Sequence, residues 1–411
     1  SFVFDVAVGG SASTGSQTAT FVLLATNRSN GASANKTALL TPSLAVQTVP
    51  SFSFGRLTAS SPVSQGQTFS ASIDLTNTGD ATADLTSTSL SFSGSGLTAS
   101  ARATNPTSLA GGATSTFTYD VTASSSASTG LQTPTLSLAA KDRNSSTDAS
   151  ASTTVSPGIT VQTLAALTFG ALTAPSPVSR GQVFSASIAL TNTGDGTADV
   201  RSTSLSFSGS GLTASARASN PTSLAGGAVG TFAYDVTATS TASTGLQTAT
   251  LAVDARDRNS DFVVGASVGV LPGITVQTVP SLSFGTLVAQ SPVSQGQTFV
   301  ATVGVTNTGD ATADVTSTGL AFSGSGLTAS ARATNPTSLA GGATSSFTYD
   351  VTVSSTASTG LQTPTLSVAA KDRNTGLDAS AASTVSTGVA VQTPASLVFG
   401  ALTAPSPVSQ G

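Results

Sequence analysis

Residues 68–76 read Thr68-Phe69-Ser70-Ala71-Ser72-Ile73-Asp74-Leu75-Thr76, with an apolar side chain at every second position. A period of two puts Phe69, Ala71, Ile73 and Leu75 on one face of an extended chain, the pattern of a half-buried β-strand. Phe117, Tyr119 and Val121 alternate in the same way with Thr116, Thr118, Asp120 and Thr122. Leu136, Leu138 and Ala140 do so again, followed by Ile159 and Val161. The same signals predict strands over 85–92, 97–101 and 167–172. Turn chemistry separates them at Asn77-Thr78-Gly79-Asp80, Ser93-Gly94-Ser95-Gly96, Asn105-Pro106, Gly111-Gly112 and Pro157-Gly158. No stretch has the period of an amphipathic helix. About seven short strands with such turns between them predict an all-β fold, an antiparallel β-sandwich of immunoglobulin type.

This unit recurs. Phe54-Gly55 returns as Phe169-Gly170, Phe284-Gly285 and Phe399-Gly400, a constant spacing of 115 residues. A supersecondary unit copied head to tail is an array, and this one is long enough for each copy to be a domain. The period divides the chain into the C-terminal part of a repeat (1–53), full repeats at 54–168, 169–283 and 284–398, and the first strand of a further repeat at 399–411. The flanking parts together lack the middle strands of one repeat, so the 411 residues read as a window on a longer repetitive chain. Residues 92–115 and 322–345 are identical, which suits interchangeable beads.

Composition narrows the function. The chain has no Cys, Met, His or Trp, and its 18 acidic residues are all Asp. Without His, Cys or Glu the usual general bases and activated nucleophiles are missing, so the expectation is that it is not an enzyme. Charged residues make up 8 % of the chain and the net charge is −4. A disordered chain would combine low hydrophobicity with high charge, whereas this one is 38 % hydrophobic. Two readings of the neutral Ser/Thr/Ala/Gly surface stay open: an inert coat that carries glycans, and a face that packs against copies of itself, since low net charge favours association. The 14 basic residues are spread thinly, which speaks against nucleic acid as a partner. No apolar run reaches the length of a membrane span.

The joints between repeats are short. Val46-Gln47-Thr48, Val161-Gln162-Thr163, Val276-Gln277-Thr278 and Val391-Gln392-Thr393 each lead into the next repeat through apolar residues or Pro rather than a Gly/Ser run. Such connections do not behave as flexible linkers. The last strand of one bead is expected to run almost directly into the first strand of the next, giving a stiff rod.

Calcium is the one cofactor that the recurring acidic residues suggest, because it takes hard oxygen donors. Asp80 and Asp84 recur as Asp195/Asp199 and Asp310/Asp314. The structural reading of the same residues is a turn position and an exposed strand position, and no Asp-x-Asp-x-Asp loop accompanies them. Arg102, Arg217 and Arg332 recur too, as do Arg143, Arg258 and Arg373, and pairs with the recurring Asp residues are expected to fix loops.

The stretches Ile73-Asp74-Leu75-Thr76-Asn77-Thr78-Gly79-Asp80-Ala81 and Leu109-Ala110-Gly111-Gly112-Ala113-Thr114-Ser115-Thr116-Phe117 resemble signatures of bacterial extracellular immunoglobulin-like repeats. The choice-of-anchor D and CARDB-type domains are the nearest in kind, and the near-identity of neighbouring beads resembles adhesin stalk arrays. The resemblance implies a bacterial extracellular or cell-surface setting with a structural or adhesive role. The primary expectation is the repeat region of a filament, sheath or surface fibre that associates with copies of itself. The alternatives are an adhesin stalk that projects a binding tip, and a repeated carbohydrate-binding module. The single Tyr of each full bead (Tyr119, Tyr234, Tyr349) is predicted to face the core, which weakens the last of these.

Overall fold

The computed structural model describes residues 1–404 and 410, and every regular element in them is a β-strand. The middle bead shows the architecture. Its strands are β1 (Leu167–Thr173), β2 (Val178–Ser179), β3 (Val183–Asn192), β4 (Ala198–Phe207), β5 (Leu212–Ala216), β6 (Ser223–Leu224), β7 (Val229–Ala238), β8 (Gly245–Asp257) and β9 (Ala266–Gln277). One sheet has the order β1-β3-β7-β5 and the other β2-β9-β8-β4-β6. Every pairing is antiparallel except β2 with β9. Without the two-residue β2 and β6, seven strands remain, the number expected of an immunoglobulin-like sandwich.

Alternation in sequence becomes alternation in burial. Along β3, Phe184, Ala186, Ile188 and Leu190 point inward between exposed or half-exposed neighbours. Along β7, Phe232, Tyr234, Val236 and Ala238 do the same. They meet Leu251, Ala255, Ile274 and Val276 of the second sheet in one core. Each large aliphatic or aromatic side chain so enclosed contributes about 1.5–3 kcal/mol. All three Tyr side chains are fully buried, as predicted. Burial raises the Tyr119 pKa, and the neighbouring Thr88 hydroxyl offsets part of that effect.

The Phe-Gly pair that marks the period is a β-bulge. Pairing of β1 with β3 slips between Phe169 and Leu172, and the flanking beads slip at the same place. A Cβ on Gly170 would stand 3.0 Å from the Ala189 carbonyl oxygen, so glycine lets the strands approach here without a local shift. The marker therefore lies inside the first strand. The strands of bead one begin at Phe52 and end at Gln162, slightly ahead of the sequence phase 54–168.

Two further differences from the sequence reading have physical causes. Pro157-Gly158 is a turn in bead one, but its counterpart Pro272-Gly273 lies within the continuous strand β9. Residues 1–53 form a two-stranded hairpin, Gly15–Thr26 with Ser33–Val46. That segment is a lone two-stranded sheet with no second sheet facing it, so Leu23, Leu40 and Leu44, the counterparts of buried Leu138, Val155 and Ile159, are exposed. Residues 2–8 form no strand, although they align with one, and Phe2 and Phe4 rest on the Phe21 ring instead. The strand expected over 399–411 does not form at 399–404, which has no strand to pair with, and 405–409 and 411 lie outside the described residues.

Candidate functional site

The recurring polar chemistry of this chain gathers at the joints. Between beads one and two, four residues separate the strand ending at Gln162 from β1. The Thr163 amide and hydroxyl both donate to the Asp195 carboxylate, at 3.2 and 2.8 Å, and the Asp195 amide donates back to the Thr163 hydroxyl at 2.8 Å. The Gln162 side chain donates to the Asp195 carbonyl. The same set links Gln47 and Thr48 to Asp80, and Gln277 and Thr278 to Asp310. Each joint is thus a linker clasped by the Asn-Thr-Gly-Asp turn of the following bead. The turn comes so close that a Cβ on Gly194 would overlap the Leu164 carbonyl oxygen, and Gly79 and Gly309 face Val49 and Val279 in the same way.

Asn192 anchors this turn. Fully buried, it donates to the Gly196 and Leu224 carbonyls and accepts from the Gly194 and Ala166 amides. Asn77 and Asn307 repeat the arrangement.

A second layer joins the bead bodies. The end of β8 and the loop after it carry Asp257-Arg258-Asn259 and reach the β-turn at 64–67 of the preceding bead. Ser64 donates to the Asp257 carboxylate at 2.8 Å. Asn259 donates to Ser64 and to Gln162, and Gln67 donates to the Asn259 carbonyl. Between beads two and three, Asn374 donates to Ser179 and Gln277. At the first joint Asn144 donates to Gln47.

Burial marks these contacts as an interface. Ser64 and Ser179, each followed by a bead, are 0 % exposed, whereas the equivalent Ser294, with none after it among the described residues, is partly exposed. Gln162 and Gln277 are half-buried, but Gln392 is exposed for the same reason.

The residues singled out in the sequence fall as follows. Val161, Val276 and Val391 are buried core ends of their strands, and Val46 is half-buried. Gln47, Gln162 and Gln277 bond across their joints. The paired Asp candidates for calcium are not brought together. Asp80, Asp195 and Asp310 hold the linker threonines, while Asp84, Asp199 and Asp314 each pair with Arg143, Arg258 and Arg373 at 2.5 Å. Bonds from the Thr48 hydroxyl and amide lower the Asp80 pKa, and the Arg143 guanidinium lowers that of Asp84. Among the described residues no three Asp side chains converge. Arg102, Arg217 and Arg332 pair with Asp120, Asp235 and Asp350 of their own beads. Sequence reasoning missed Ser64, Gln67, Asn192 and Asn259. The signal was their recurrence at constant phase, as Ser64/Ser179/Ser294 and Asn144/Asn259/Asn374.

The clefts on the beads are open grooves. One of about 440 Å³ in bead one runs between Phe52-Ser53-Phe54 and Thr153-Thr154-Val155, and one of about 470 Å³ recurs in bead three. Neither is lined by a carboxylate, and the chain has no His or Cys to place there.

No protein-family model matches the chain, choice-of-anchor D and CARDB-type models included, and no curated protein does. Among solved structures, it is similar to the full ectodomain (Ig1–Ig3) of mouse nectin-like molecule 4, at 12 % identity over 83 % of this chain and 100 % of that one, with a TM-score of 0.22. A marsupial T cell receptor matches at 11 % identity over 81 % and 99 %, TM-score 0.29. A protein of unknown function from Porphyromonas gingivalis W83 matches at 12 % identity over 54 % and 100 %, TM-score 0.20. At these scores the fold assignment rests on the chain's own sheet topology.

Proposed function

We propose that this chain is a structural array, the repeat region of a bacterial extracellular or cell-surface fibre, whose beads are held in a fixed relation by their joints. The observation that carries the reading is the interface at each joint. A polar clasp and a bond from an asparagine to a buried serine recur at the period of the sequence. A chain that needed freely pivoting domains has no use for glycine-dependent contact between turn and linker. No catalytic step, resident cofactor or calcium site enters this reading.

The outer faces supply the rest of the argument. Among the described residues, seven of the eight ion pairs sit at exposed positions on both partners and none crosses a joint, so eight of the 14 basic residues are paired within their own beads. Between them lie ladders of hydroxyls such as Thr68 with Thr122, Thr76 with Thr114 and Thr306 with Thr344. Such faces repel one another weakly, which favours lateral packing of copies. The stalk reading uses the same stiffness without self-association.

Negative-stain imaging of the native material with an antibody against the repeat tests this. Continuous labelled fibres of uniform diameter are expected. Single labelled stalks ending in an unlabelled head would replace the fibre with a spacer.

A further inference from the structure

Two differences alternate along the chain with a period of two beads. The first is in the strands. In bead two β8 and β9 run without a gap, and so does the hairpin of Gly15–Thr26 with Ser33–Val46, each with one slip in register, between Gln247 and Ala249 and between Gln17 and Ala19. In beads one and three the same stretches are broken, at Gly130–Gln132 and Pro134–Asp142 and at Gly360–Gln362 and Pro364–Asp372. The cause is proline: Pro134 and Pro364 stand where Ala19 and Ala249 stand in the continuous copies. Proline has no N–H for the ladder.

The second difference is in the linkers, where equivalent positions read Pro50, Ala165, Pro280 and Ala395. Residues 399–411 differ from 169–181 only at Gln410 against Arg180, so the following repeat also opens like bead two.

We infer that the array is built of two-bead units, with a locked joint inside each unit and a compliant joint between units. The inference rests on the jointed-array reading above and refines it.

The geometry of one buried carboxylate decides which joint is which. At the joint from bead one to bead two, Asp257 is saturated. One oxygen accepts from Ser64, from the amides of Asn259 and Ser260 and from the Ser260 hydroxyl, and the other accepts from the Ala165 amide at 2.9 Å. The Phe262 ring closes over Gly66 beside it.

At the joint from bead two to bead three, the counterpart Asp372 is just as buried, but Pro280 occupies the place of Ala165 and has no N–H to offer. One Asp372 oxygen accepts from the Asn374 amide, and the other is buried with no partner. Contact across this joint is also thinner. Gln182 reaches the Asn374 carbonyl at 3.4 Å, against 3.0 Å for Gln67 and Asn259. Leu377, the counterpart of Phe262, is 64 % exposed against 42 % for the phenylalanine. Arg180 attracts Asp310 only weakly, as the smallest influence on that carboxylate, and its Nε donates within its own bead.

A buried carboxylate oxygen without a donor disfavours the closed joint and is hydrated when the joint opens. One such bond changes the ratio of open to closed joints roughly tenfold. Bending is therefore concentrated at every second joint.

The chain contains no cysteine, so spin labels can be placed at Thr98, Thr213 and Thr328, equivalent exposed positions, by substitution to Cys in the full chain. Pulsed dipolar spectroscopy then reads the distance distribution across each joint. The 98–213 distribution is expected to be narrow and the 213–328 distribution broader. Pro280→Ala should narrow the second, and Ala165→Pro should broaden the first; Pro50 and Pro280 show that proline fits that position. Two equally narrow distributions, unmoved by either substitution, would overturn the alternation and leave the stiff array intact. Two broad ones, or the reverse order of widths, would overturn it as well, and two broad ones would remove the stiff array with it.

Discussion

Asn192 has all four of its side-chain hydrogen-bonding positions filled from a fully buried site, and the partners belong to three separate segments. Asn192→Ala would leave two carbonyls and two amides without partners. Unmade buried bonds cost more than made ones gain, so bead two should lose about 2–4 kcal/mol of unfolding free energy. Chemical denaturation of the full chain measures this, and a loss below about 1 kcal/mol would mean that water replaces the side chain. Asp257 behaves differently because it titrates. Desolvation, the largest single influence, raises its pKa, but donation from the Ala165 amide, Ser64 and Ser260 together outweighs it and the net shift is downward. The unfolded carboxyl titrates near ~3.9. The ionised form therefore stabilises the joint above that value, and the contribution is lost as pH falls through the lower folded pKa. The distribution across beads one and two should broaden in acid. Asp257→Asn should flatten that pH response.

At the level of elements, the Asn-Thr-Gly-Asp turn between β3 and β4 acts on the linker more than on its own strands. Gly194 is required by space rather than by backbone angle, since its Cβ would overlap the Leu164 carbonyl oxygen. Gly194→Ala should therefore shift the linker and uncouple beads one and two while both sandwiches stay folded. Near-unchanged β-sheet circular dichroism with a broadened 98–213 distribution is the expected pair of results; an unchanged distribution would show that the turn yields instead. The long strands were legible in advance because their inward positions are continuous, as in Thr68–Asn77 and Thr114–Ala123. The two-residue strands such as Val63–Ser64 and Ser108–Leu109 were not, because two residues carry no period. The Pro157-Gly158 dipeptide does interrupt the strands of bead one, whereas its counterpart Pro272-Gly273 lies inside a strand, at a slip in its register.

Across the whole molecule, the joints are made of Ser, Thr, Gln, Asn and Asp side chains, and none of the ion pairs among the described residues links two beads. Salt at about 1 M shrinks the screening length to about 3 Å and weakens exposed pairs. The bonds at the joints are short-range and partly buried, so the array should keep its extension. Small-angle scattering at low and high salt should give the same maximum dimension; shortening with salt would mean that charges between beads set the shape.

The sequence by itself determined the β-sandwich class and the 115-residue period at which the beads recur. Period-two alternation and a constant repeat are one-dimensional patterns that need no contact map. Only the tertiary structure decided what the recurring polar residues do. It took Ser64 and Asp257 from positions 193 apart and placed them 2.8 Å from each other. It gave Asp80 and Asp84, four residues apart, to a linker threonine and a loop arginine. Partners so distant along the chain are chosen by the packing of one bead against the next, and no local pattern of residues encodes that choice.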